Sequence, residues 1–217
     1  MKQLILPLLA LLLCNNTQAQ FDPYAEPPYG LEKIRALMNA TKKASLSDEA
    51  YKSLSLREKF TYNMIYYESF YQNCSIYFAA PKGKIPAQLP HLSEVSAWSD
   101  RQKKFFTDNK DSVIRLIRID NQLDHELRLN DKIVILLIDA TEMIPFLQDC
   151  YHKKQDLEIL TVLMQLMNDR QYAPFIESDL HKKLYTGYSQ TNTIDYSKTD
   201  ETFILTQATN FYYGLCK

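Results

Sequence analysis

The sequence predicts an all-α fold, and three observations lead to that prediction. Only four glycines occur in 217 residues, well below the typical ~7%, and tight β-hairpin turns depend on glycine for positive φ. Apolar residues recur three and four positions apart over most of the chain. No alternating strand pattern of five residues survives inspection. We therefore expect an irregular multi-helix bundle of eight or nine helices.

Helix signals begin after an extended, proline-rich opening. The first helix is predicted from an apolar stripe at helical spacing, formed by Leu31, Ile34, Leu37 and Met38. Ser47 offers a start for a short second helix, and Ser55 followed by Glu58 forms a capping box for a third. The periodicity then stops at residues 79–90, where three prolines and a glycine predict a proline-rich loop. A loop of this kind is a natural place for a lid or a partner contact.

The second half of the chain continues the helical pattern. Ser99 and Gln102 form another capping box. A buried stripe runs from Ile133 to Ile144, where Pro145 is expected to end or kink the helix. Later helices are predicted from Asp156 onwards, from Pro174 to Gly187, and along a last stripe formed by Ile204, Ala208, Phe211, Tyr212 and Leu215. A polar loop is expected over 189–197.

The helix pairs expected at 131–151 and 156–184 resemble α-solenoid units of the HEAT or armadillo kind. Such families stack at least three units to bury their apolar faces, and only one pair aligns here. A solenoid-like layout is therefore the alternative to an irregular bundle.

The first nineteen residues have the three parts of a secretory signal peptide. Lys2 gives a basic start, an apolar run follows, and small residues at Thr17 and Ala19 suit the processing peptidase. The apolar run from Leu4 to Cys14 is too short for a membrane-spanning helix, which needs ~20 residues. We expect residues 1–19 to be removed, and residues 20–217 to form one helical domain without a transmembrane anchor, in the periplasm or secreted.

Cys14 supports one alternative to simple release, because a lipoprotein could carry its lipid there. Leu13 argues against this alternative, since that processing route requires a small residue before the cysteine. Export would leave Cys74, Cys150 and Cys216 in an oxidising compartment. Three is an odd number, so their disulfide pairing stays open.

Charge and motif searches exclude several function classes. The formal net charge is −1 at pH 7 with both signs interspersed, which gives no basic face for nucleic acid. No spacing of cysteines and histidines suits a zinc cluster, and glycine is too scarce for a phosphate-binding loop or a nucleophile elbow. No cofactor is predicted.

Aromatic residues are dense over 62–78, here called the tyrosine-rich segment. Tyrosine combines a large apolar ring with a hydroxyl that needs a hydrogen-bond partner, so it is common at binding surfaces that are partly exposed to solvent. The candidate binding residues, with Trp98 expected nearby, are Tyr62, Tyr66, Tyr71, Tyr77 and Trp98. Packing of these rings in the core is the competing interpretation.

A second candidate site consists of four polar residues, Asp120, Asp124, His125 and Glu126. Within two helical turns they offer several possible ligands, with Asp120 and Asp124 on one face, for a divalent ion or for acid/base chemistry. A solvated acidic face between Arg118 and Arg128 is the competing interpretation.

The leading functional hypothesis is a non-enzymatic, exported binding module whose partner is a protein or a cell-envelope component. It would use the tyrosine-rich segment and the adjoining loop. The alternative is a metal-dependent or acid/base hydrolase centred on the Asp120 to Glu126 group.

If the protein is exported, removal of the signal peptide should give a defined N-terminus. Mass spectrometry of protein recovered outside the cytoplasm of producing cells should find Gln20 as the first residue. Leu9→Arg should keep the full-length chain in the cytoplasm, because a charge interrupts the apolar run. Cys14→Ser should leave processing unchanged, whereas loss of processing and of membrane attachment in that variant would establish the lipoprotein alternative.

Overall fold

Helices account for most of the described chain, so the predicted all-α class is confirmed. The computed structural model describes residues 29–41, 45–70, 81–89, 96–122, 126–186 and 192–215. The helices in these ranges are α1 (Leu31–Thr41), α2 (Asp48–Lys52), α3 (Leu56–Ile65), α4 (Asp100–Asp108), α5 (Lys110–Asp120), α6 (Leu129–Leu137), α7 (Ile144–Lys154), α8 (Leu157–Asp169), α9 (Ala173–Ile176), α10 (Asp179–Tyr185) and α11 (Lys198–Leu215). None of these helices combines the length and apolar character needed to span a membrane.

The predicted helix starts at serine residues are confirmed. Ser47 caps α2 by accepting a hydrogen bond from the backbone N–H of Ala50. Reciprocal capping boxes join Ser55 to Glu58 at the start of α3 and Ser99 to Gln102 at the start of α4. Each pair satisfies two backbone donors that the first helical turn leaves without a partner.

Two helices end earlier than predicted, because the chain turns at Asp139 after the first and a new helix is capped at Ser178 after the second. The helix through Ile133 ends at Leu137, and Pro145 lies in the first turn of α7 instead of terminating α6. Proline is tolerated there, because the missing N–H would have no helical partner anyway. Pro174 likewise begins the short α9, and the side chain of Ser178 then caps a separate helix, α10. Gly187 lies outside the described residues.

Left-handed backbone at helix ends is supplied by residues other than glycine. Asp139, Gln155 and Gln171 follow α6, α7 and α8 with φ values of 48°, 55° and 50°. The side-chain amides of Gln155 and Gln171 donate back to the carbonyls of Tyr151 (3.2 Å) and Asn168 (2.9 Å) at the ends of their own helices. Aspartate and glutamine thus take the left-handed conformation at these helix ends, where glycine is more usual.

Two small antiparallel strand pairs interrupt the helical pattern. Strand β1 (Ser69–Phe70) pairs with β3 (Ser96–Ala97), and β2 (Lys84–Pro86) pairs with β4 (Thr193–Asp195). In the second pair Ile85 lies opposite Ile194 and is fully buried. The predicted loops at 79–90 and 189–197 therefore contain strands, which are too short to show an alternating pattern.

The main hydrophobic core surrounds α8. Eight of the thirteen residues of α8 are buried, from Ile159 to Met167, and the helix packs against α6, α7, α9, α11 and strand β2. In a solenoid each unit contacts only its neighbours along the chain, but α8 contacts β2, which is far away in sequence. The solenoid-like alternative is not confirmed, and the contacts are those of an irregular bundle.

A second, smaller hydrophobic cluster lies beneath the N-terminal helices. It contains Ile34, Leu46, Tyr51, Leu54 and Tyr62. Helix α3 joins the two clusters, because its Phe60 and Met64 side chains belong to the main core. Cys150 is fully buried in α7, and Cys74 and Cys216 lie outside the described residues.

The left-handed helix ends predict an unusual stabilising substitution. Gln155→Gly should raise the free energy of unfolding by about 0.5–1 kcal/mol, because glycine adopts positive φ without steric cost. The matched Arg115→Gly, at an exposed position in the interior of α5, should lower it by about 1 kcal/mol. Urea denaturation measures both changes, and a loss of stability in Gln155→Gly would show that the side-chain hydrogen bond outweighs the strain.

Candidate binding surface

The structure places the predicted binding residues at different depths. Tyr62 has no exposed surface and Trp98 is 5% exposed, so neither ring offers area to a partner. Tyr66 is half-buried and stacks on Tyr62 with ring centroids 5.5 Å apart. Tyr71 and Tyr77 lie outside the described residues. For Tyr62 and Trp98, the core-packing interpretation agrees with the observed burial.

A buried carboxylate, Glu68, organises the polar atoms around these rings. It accepts hydrogen bonds from the Tyr62 hydroxyl (2.8 Å), the Ser99 hydroxyl (2.6 Å) and Nε of Arg101 (3.2 Å). The Arg101 guanidinium also forms an ion pair with Asp48 (2.7 Å). Burial alone would raise the pKa of Glu68, but the hydrogen bonds from Arg101, Ser99 and Tyr62 outweigh it and hold that pKa below its usual value.

Gln102 completes the arrangement from α4. Its side-chain oxygen accepts from the backbone N–H groups of Glu68 and Ser99, both at 3.1 Å. Its amide nitrogen donates to the carbonyl of Tyr66 (2.7 Å) and to Asn63 (3.2 Å). These residues satisfy one another, so the group ties α3 to α4.

Of the second candidate site, the structure describes Asp120 and Glu126. Helix α5 ends at Asp120, because the side chain of Asn121 donates to the Ile117 carbonyl (2.8 Å) and the chain turns. Asp120 is therefore the last residue of α5. Asp124 and His125 lie outside the described residues.

Asp120 is not part of a solvated acidic face. Its side chain is 6% exposed and lies 3.4 Å from the Arg128 guanidinium, which also pairs with Asp131 at 2.9 Å. Burial raises the pKa of Asp120 by more than the hydrogen bond from Tyr29 and the charge of Arg128 lower it. Glu126 forms an ion pair with Lys154 at 3.2 Å. Among the described residues, no group of three or more histidine, cysteine, aspartate or glutamate side chains could hold a metal ion.

The outward face of α11 has a different character. We call Thr199, Thr202, Thr206, Asn210 and Tyr213 the outer stripe; all five are exposed and follow one another at helical spacing. From Thr202 to Leu215 the sequence contains no charged residue, although charged residues make up 24% of the chain. At the end of the stripe Tyr213 is 63% exposed and Leu215 is 50% exposed. From Thr202 onward this exposed helix face carries no charge.

An open groove of about 530 Å³ follows the first half of this face. Its lining contains Lys198, Thr199, Thr202, Phe203, Thr206 and Gln207. The opposite face of α11 is buried through Ile204, Ala208 and Phe211. From α7, the amide of Gln148 donates to the Leu205 carbonyl (2.8 Å) and to the Thr209 hydroxyl (2.9 Å). These contacts hold the helix in a fixed rotation, with the groove facing outward.

A buried carboxylate also fixes the start of α11. The Glu201 side chain is 3% exposed, and it accepts hydrogen bonds from the Lys198 ammonium (2.6 Å) and from the Tyr196 hydroxyl. Burial would raise the pKa of Glu201, but these two donors hold it below the usual value. The Lys198 charge at the end of the groove is therefore already paired.

The outer stripe and both buried glutamates were not predicted from the sequence. Glu68 and Glu201 are isolated acids whose partners come from other elements, and no spacing rule reveals them. The uncharged run from Thr202 to Leu215 was a visible signal, but it was interpreted only as a helix stripe. The chain matches no protein-family model, no curated protein and no solved structure.

Glu68 predicts a defined pH dependence of stability. Glu68→Gln should lower the free energy of unfolding at neutral pH by about 1–3 kcal/mol, because a buried acceptor of four hydrogen bonds loses its charge. The lowered pKa makes this contribution fully present above the ordinary glutamate value of 4.5, and it is lost as the pH falls through the folded-state pKa.

Urea denaturation between neutral and acid pH measures this effect. The difference between Glu68→Gln and the wild type should shrink in acid. The exposed Glu32→Gln serves as the control and should change stability little at any pH. A difference for Glu68→Gln that does not depend on pH would contradict the role given to its charge.

Proposed function

We propose that this protein is an exported, non-enzymatic binding module of the cell envelope, and that it binds its partner on the outer stripe of α11. The observation that carries the proposal is an exposed helix face that has no charge from Thr202 onward, beside an open groove. Charged residues are depleted in the cores of binding surfaces, since desolvating a charge on association is costly. Surface helices that only face water have no reason to exclude them.

The rigidity of the surface also supports the proposal. The outer stripe belongs to a helix whose inner face packs on α7 and α8, so its side chains are held in place before a partner arrives. A surface ordered in advance loses less conformational entropy on binding. Export and the contributions of Tyr66, Tyr71 and Tyr77 remain predictions from the sequence.

The hydrolase alternative has less support among the described residues. Asp120 and Glu126 each already pair with a cationic side chain, so a metal ion would have to displace Arg128 or Lys154. That alternative rests on Asp124 and His125 alone.

Substitution in the groove tests the proposal. The mature protein, beginning at Gln20, should cosediment with isolated cell envelopes of the organism that produces it. Thr202→Arg should reduce the bound fraction at least tenfold, because a long cationic side chain fills the groove and brings an unpaired charge. Circular dichroism should show the same fold.

The matched control is Thr107→Arg. Thr107 is also an exposed helical threonine, and its hydroxyl donates to the carbonyl four residues earlier (3.3 Å), as Thr202 does (2.8 Å). This variant should bind envelopes like the wild type. Equal binding by Thr202→Arg and the wild type, or no cosedimentation of the wild type, would refute the proposal.

A further inference from the structure

We infer that the groove on α11 binds a short, uncharged saccharide segment of an envelope glycan. This inference rests on the proposed function and adds the chemical class of the ligand. Four properties of the groove lead to it: its unused hydrogen-bonding groups, its charge balance, its aromatic side chains and its size.

Several polar groups of the groove are available for a ligand. Thr199, Thr206 and Gln207 make no side-chain hydrogen bond to any part of the chain that the structure describes. The Thr202 hydroxyl donates to the Lys198 carbonyl and keeps its capacity to accept. Hydroxyl and amide groups both donate and accept, as saccharide hydroxyls require. A purely apolar ligand would leave these groups without partners and lose affinity.

The charge balance favours a ligand without net charge. Lys198 is the only charged side chain lining the groove within the described residues, and its ammonium lies 2.6 Å from the buried carboxylate of Glu201. An anionic ligand would have to compete with Glu201 for this ammonium, and a cationic ligand would meet no free carboxylate. The groove therefore complements a neutral polar molecule.

One aromatic side chain lines the groove, and a second lies further along the same helix face. The Phe203 ring lines the groove, and Tyr213 extends the same helix face and contacts Tyr212 with ring centroids 5.5 Å apart. A sugar ring presents hydroxyls at its edge and C–H groups on its face. Threonine hydroxyls next to an aromatic ring complement both parts.

The size of the surface favours a short segment over a globular protein. Helix α11 has 18 residues and is therefore ~27 Å long with a radius of ~6 Å, so one half of its curved surface covers roughly 500 Å². A stable protein interface needs about 800 Å² from each partner. The groove volume of about 530 Å³ lies within the ~300–1,000 Å³ of small-molecule sites.

A competition experiment tests the ligand class. Envelopes are partly hydrolysed, and the released saccharides are separated by ion exchange into a neutral and a charged fraction. The neutral fraction should displace the full-length mature protein from intact envelopes, and it should shift the backbone NMR signals of Thr202, Phe203 and Thr206. Treatment of the envelopes with a protease should leave binding intact.

Thr206→Val provides the residue-level test. It removes one hydroxyl while keeping the shape of the side chain, and it should weaken binding of the neutral fraction about three- to tenfold. Thr107→Val is the matched control and should bind like the wild type.

The possible failures separate the two proposals. Binding of the wild type is measured on protease-treated envelopes, and binding of Thr202→Arg on untreated ones. If both are lost, α11 binds a protein and the saccharide inference is wrong. Displacement by the charged fraction alone, or NMR shifts confined to other helices, would also overturn the inference. If Thr202→Arg has no effect on envelope binding, the proposed function itself fails.

Discussion

The packing of α11 on α8 is the constraint on which the rest of the structure depends. Helix α8 is buried on nearly all sides, and α11 covers one of them with Ile204, Ala208 and Phe211. This contact fixes the rotation of α11, so the outer stripe and the groove face outward. A helix rotated by half a turn would bury threonine and asparagine side chains without partners and expose apolar ones.

Two buried carboxylates connect neighbouring elements of the fold through hydrogen bonds, in addition to the apolar packing. Glu68 joins α3 to the start of α4 through Ser99 and Arg101, and Glu201 joins the start of α11 to Tyr196, just after β4. Each carboxylate is surrounded by donors, so its burial cost is offset. Each acts as a structural anchor, whereas the outer stripe, which we propose as the binding surface, consists of uncharged side chains.

The sequence predicts the helices better than their ends or the site. Capping serines and apolar stripes depend on neighbouring residues, and these predictions are confirmed at Ser47, Ser55 and Ser99. The break after Leu137 depends on the left-handed conformation of Asp139. Glycine is the usual sequence signal for that conformation, and this position has none. The tyrosine pattern could not distinguish the buried Tyr62 from a surface residue, because that difference depends on packing against distant elements such as Leu46.

Site-specific photocrosslinking tests the central claim most directly. A benzophenone amino acid inserts into nearby C–H bonds of either a saccharide or a protein, and it can replace Thr206 or the control residue Thr107 in producing cells. Our account predicts that irradiation gives a covalent adduct from position 206 and none from position 107. Equal adducts from both positions, or an adduct from position 107 alone, would contradict the assignment of the outer stripe as the binding surface.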